Sequence, residues 1–140
     1  MTLYQSQWPA SDHLTYTHTP DDIHLFEVAH VDRHTIDEWF AIVTPLYQSH
    51  SEKDTVRVCL DLKLDEITHL TYAAQKARML ANVLEETGPF ARYAVLRRPH
   101  MNLAMLDTML SLTPKKPFTL RYFSPGEYRR AVRWLWEISL

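Results

Sequence analysis

The spacing of apolar residues along this chain switches between two periods, and each switch marks a strand or a helix. Leu14 to His18 reads as a short strand. Thr19-Pro20-Asp21-Asp22 supplies a turn, with proline pre-setting φ at its second position. Residues 23–31 form a second strand rich in β-formers, so the pair reads as a hairpin. The period then lengthens. Ile36, Trp39, Phe40, Val43, Leu46 and Tyr47 share one helical face, with His34, Asp37, Glu38, Thr44 and Gln48 opposite. Thr35-Ile36-Asp37-Glu38 has capping-box spacing, which starts this helix at Thr35. Pro45, on its solvent side, is expected to kink or shorten the last turn.

Thr55 to Leu62 is the clearest strand, with Val56, Val58, Leu60 and Leu62 alternating against Arg57, Cys59 and Asp61. A second helix runs from Thr68 or Thr71 to Glu86, with small residues on its inner face, and Gly88-Pro89 is expected to close it as a C′ glycine followed by proline. Residues 91–96 are a strand, residues 100–112 a helix and residues 118–123 the last strand. Ser124 as N-cap, Pro125 at N1 and Glu127 at N3 begin a final helix that reaches residue 138. The order ββαβαβαβα implies an α/β fold. The expected architecture is a single mixed, mostly parallel sheet with an N-terminal antiparallel hairpin. No repeat or linker interrupts it, so residues 1–140 read as one domain.

Composition narrows the function classes. Fifteen basic residues against seventeen acidic ones leave a net charge of −2, which gives nucleic acid no electrostatic attraction. The arginines at 129, 130 and 133 read as stems shielding a sheet layer. No run approaches the ~20 apolar residues of a membrane span. Residues 1–10 lack the basic and apolar regions of a secretory leader, and the single cysteine, Cys59, cannot form an internal disulfide. The expectation is a cytoplasmic protein. The two glycines, Gly88 and Gly126, cannot build a phosphate cradle. Cys59 reads as a small buried residue, and the eight histidines show no metal-ligand spacing. Neither a metal, nor a cofactor, nor a catalytic set is expected.

Two features stand out as binding candidates. Arg97, Arg98 and His100 follow a parallel strand, and Asp61, Lys63, Thr68 and Thr71 fall at the same carboxyl edge, where open α/β sheets collect ligands. On the helix over residues 100–112, Met101, Met105, Met109 and Leu112 form one apolar stripe and Leu103, Leu106 and Leu110 another. One buried stripe suffices for a helix on a sheet. The surplus is either covered by the termini, through Trp8 or Trp136, or is a contact surface for a protein partner or a second copy of the chain.

The element order, the strand Val56-Arg57-Val58-Cys59-Leu60-Asp61-Leu62 and the ending from Phe123-Ser124-Pro125-Gly126-Glu127-Tyr128 through Ala131 to Trp134-Leu135 resemble the STAS fold of anti-sigma-factor antagonists, in its SpoIIAA-like branch. The resemblance implies a non-enzymatic, regulatory protein–protein interaction module. In partner-switching members a phosphorylated serine follows the Asp-Leu strand. Here that place holds His69-Leu70, with Thr71 just after, so the matching serine is absent and only Thr68 and Thr71 are available as substitutes. The alternative expectation is a small-ligand domain that holds a lipid or an anionic metabolite at the strand ends.

Overall fold

A computed structural model describes residues 13–64, 68–84, 88–99 and 118–137. Strands β1 (Leu14–His18) and β2 (His24–Val28) form the expected antiparallel hairpin, closed by the pair His18 and His24. The turn is the one read from the sequence: the Asp22 amide donates to the Thr19 carbonyl at 3.0 Å. Asp22 sits at φ 60°, a left-handed conformation that aspartate tolerates better than most residues. Thr19 pins the loop, its hydroxyl accepting from the Ile23 amide at 3.1 Å and donating to Asp21 Oδ1 at 2.5 Å.

Helix α1 (Arg33–Gln48) begins two residues before Thr35. Asp32 is the N-cap, its Oδ1 accepting from the Thr35 amide at 2.8 Å and the Thr35 hydroxyl at 2.9 Å. A carboxylate is the stronger acceptor and suits the positive end of the helix dipole, which leaves Thr35 buried inside the first turn. The helix also runs through Pro45, which lies on the exposed face, and the Pro45 carbonyl still accepts from Ser49 at 3.0 Å. The Thr35 amide holds the Asp32 carboxyl below its ordinary range. Since the folded value is the lower one, this contribution is complete at neutral pH and disappears as pH falls through the carboxylate range. Asp32→Asn keeps a capping acceptor but removes the charge. We expect its melting temperature to lie below that of the natural chain at pH 7, with the gap closing below pH ~3.

Strands β3 (Thr55–Leu62), β4 (Phe90–Leu96) and β5 (Phe118–Phe123) and helix α2 (Leu70–Leu84) follow the reading closely. The sheet order is β1-β2-β3-β4-β5, with β2 to β5 parallel, so the class is α/β as expected. The helix read over residues 100–112, and with it His100, Met101, Met105, Met109 and Leu112, lies outside the described residues. Gly88 does not take the left-handed C′ conformation. It serves close packing instead, since a Cβ there would meet Leu84 Cδ1 at 3.1 Å. No described helix is long and apolar enough to cross a membrane.

Both faces of the sheet are covered, and the strand alternation sorts the core into two parts. Leu14, Phe26, Val28, Val56, Val58, Leu60, Tyr93 and Val95 pack beneath α1 and α2. Ile23, Cys59, Ala94, Leu96 and Phe123 pack beneath α3 (Tyr128–Leu135), through Ala131, Trp134 and Leu135. Helix α3 starts later than read. Ser124 is not the N-cap; it opens a turn, in which the Glu127 amide donates to the Ser124 carbonyl at 2.9 Å and Glu127 Oε1 accepts from the Ser124 amide at 2.8 Å. At the other end, Arg57 Nε donates to the Leu135 carbonyl at 2.9 Å and Arg92 Nη2 to the Trp134 carbonyl at 2.6 Å. These two arginines are register partners on β3 and β4. They add charged donors to carbonyls of the last turn, at the negative end of the helix, where the Trp134 carbonyl also accepts from the Glu137 amide at 3.1 Å.

Candidate functional site

The carboxyl ends of β2 and β3 bring three charged side chains together. Parallel register sets Glu27 beside Asp61 on the α3 side of the sheet. The chain leaves β3 at Lys63, whose amide donates to the Val28 carbonyl at 2.8 Å. That anchor lets its ammonium donate to Glu27 Oε2 at 2.7 Å and approach Asp61 Oδ2 at 3.9 Å. Partial burial raises the Asp61 pKa, Lys63 opposes the shift and Glu27 adds to it. The hydrogen bond to Glu27 raises that of Lys63. The group is a mixed-charge rim in which one lysine serves two carboxylates.

The other residues singled out from the sequence border this rim or stand apart from it. Thr68 donates its hydroxyl to the Val31 carbonyl at 2.9 Å, tying the start of α2 to the loop after β2. Thr71 is exposed on the first turn of α2. The Arg97 amide donates to the Phe123 carbonyl at 3.0 Å, and its guanidinium lies 5.7 Å from the centre of the Tyr122 ring. Arg98 is exposed beyond it. Glu27 was missed by the sequence reading, because its place beside Asp61 depends on strand register. Cys59 is fully buried, and burial pushes its thiol up to about 12, which keeps it protonated at neutral pH.

A second polar cluster lies at the opposite end of the sheet, on the hairpin. The rings of His18 and His24 stack at 4.2 Å between centres, and His18 Nε2 donates to Asp22 Oδ1 at 2.6 Å. His24 is 3% exposed, and its Nδ1 hydrogen-bonds the Tyr16 hydroxyl at 2.6 Å. Burial, reinforced by His18, lowers the His24 pKa to about 4. Burial raises the Tyr16 hydroxyl to about 12. Among the described residues, His18, Asp22 and His24 are the group whose ligand atoms lie close enough to share an ion, all within 4.8 Å of one another. The sequence reading found no ligand spacing among the histidines. The available signal was their symmetric placement on either side of the hairpin turn, which makes them cross-strand neighbours.

Next to this hairpin, Trp136 donates its indole N–H to the Asp21 carbonyl at 3.0 Å and stacks under the Arg57 guanidinium at 3.6 Å. Trp134, by contrast, is buried in the core beneath α3, so Trp136, 44% exposed, is the tryptophan of the pair that reaches the surface. No family model, curated protein or solved structure matches this chain. The described fold defines an α/β protein with helices on both faces of one mixed sheet.

Proposed function

We propose that this chain is a non-enzymatic interaction module whose acting surface is the carboxyl-end rim formed by Glu27, Asp61 and Lys63. The observation that carries this reading is the convergence of those three charges from two neighbouring strands. A rim of mixed sign orients and selects a charge-complementary protein, while exposed ion pairs of this kind contribute little to stability. The resemblance of the Asp61-Leu62 strand to that of anti-sigma-factor antagonists points the same way, towards regulation by contact. The partner is another protein or a second copy of the chain. A small anionic ligand or a lipid is the second reading, favoured by the Arg97 guanidinium beside Tyr122 and the exposed Arg98 after β4.

Lys63→Glu tests the first reading. It sets a third carboxylate beside Glu27 and Asp61, but on an exposed side chain, so the melting temperature should fall by only a few degrees. Affinity for any protein retained by the natural chain should fall roughly tenfold, measured by titration calorimetry. Equal affinity in chain and variant would remove the rim from the interface. A small molecule carried through purification, seen by native mass spectrometry, favours the second reading. Turnover in a substrate screen overturns both.

A further inference from the structure

We propose that His18, Asp22 and His24 form a binding site for a divalent first-row transition cation, of which zinc is the natural probe. Two imidazoles and one carboxylate are a ligand set suited to such an ion, with coordination positions left for water or a partner's side chain. The hairpin supplies the placement. His18 and His24 are directly opposed across β1 and β2, a pairing that sets Cβ atoms about 5 Å apart on one face. Asp22 reaches the same point from the turn, where its amide is held by the Thr19 carbonyl and its backbone is left-handed.

The deeper ligand is held in place in advance. His24 is buried, and the Tyr16 hydroxyl on its Nδ1 orients the ring; when that oxygen accepts from Nδ1–H, Nε2 keeps its lone pair for an ion. His18 and Asp22 meet in a hydrogen bond of 2.6 Å, which an ion must open. With metal–ligand bonds of about 2.0 Å, tetrahedral ligand atoms stand roughly 3.3 Å apart. The two rings lie 19° from parallel, so the more exposed His18 ring must also turn out of the stack for both nitrogens to face one ion. Binding therefore replaces the His18–Asp22 hydrogen bond with two bonds to the ion, the neutral His18 ring carrying its proton on Nδ1, and it locks the hairpin end of the sheet.

The test uses the full chain, free of any tag, stripped with chelator and titrated with zinc by calorimetry. One equivalent should bind and raise the melting temperature. His18→Ala and Asp22→Asn both change exposed or half-exposed side chains, and each should weaken binding by at least tenfold. In imidazole-detected NMR, zinc should shift the ring nitrogens of His18 and His24 together. His24→Ala risks the fold and is not needed. Absence of binding overturns the proposal. So does unchanged affinity in both variants, which would place the ion on other histidines.

Discussion

Replacing Phe26 by alanine is expected to lower the unfolding free energy by about 4 kcal/mol. Phe26 is fully buried at the centre of β2, between β1 and β3, with its ring 4.9 Å from that of Tyr16 and 5.8 Å from that of Trp39. Strands on both sides fix the backbone and α1 closes over the ring, so the lining has little room to collapse into the space an alanine leaves. The loss is therefore transfer energy plus most of a cavity. Urea denaturation followed by tryptophan fluorescence measures it, because Trp39 borders the hole. A loss under about 2 kcal/mol would mean that α1 can settle onto the sheet, which is not what a core of interleaved aromatics allows.

The second large effect lies on the other face. Arg92 is 7% exposed on β4, donates to the Trp134 carbonyl and lies 4.1 Å from the centre of the Trp134 ring. Arg92→Ala is expected to cost about 3 kcal/mol, by leaving that carbonyl without its charged donor and opening space under α3. Arg92→Met refills the space but not the donor, and should recover roughly half of the loss. Arg57→Ala should cost only about 1 kcal/mol, since Arg57 is partly exposed and its group is screened by water. The near-ultraviolet circular dichroism of Trp134 reports whether α3 stays docked. Equal costs for Arg57→Ala and Arg92→Ala would show that burial does not set the strength of these two contacts.

The candidate sites were legible to different depths. Asp61 and Lys63 stood out because a strand ending in charged residues announces a sheet edge. Glu27 did not, because nothing local to it says that β2 lies beside β3 in that register. Asp32 was passed over as an N-cap in favour of Thr35. Both are capping residues, and the choice between them depends on where the chain leaves β2, which pairing with β3 decides. The same holds for His18 and His24. Each looks like an ordinary strand-end histidine until the Thr19–Asp22 turn sets the hairpin register and stacks the two rings.

What the sequence determined by itself was the alternation of strand and helix, the hairpin turn, the bounds of β3 and β5 and the α/β class, because hydrophobic period and turn chemistry act over a few residues at a time. The tertiary structure alone decided which polar side chains meet. Register set Glu27 beside Asp61 and Arg57 beside Arg92, and packing placed the end of α3 over the arginine pair. Those contacts join residues far apart in the chain, and their energies come from burial and geometry that no local window contains.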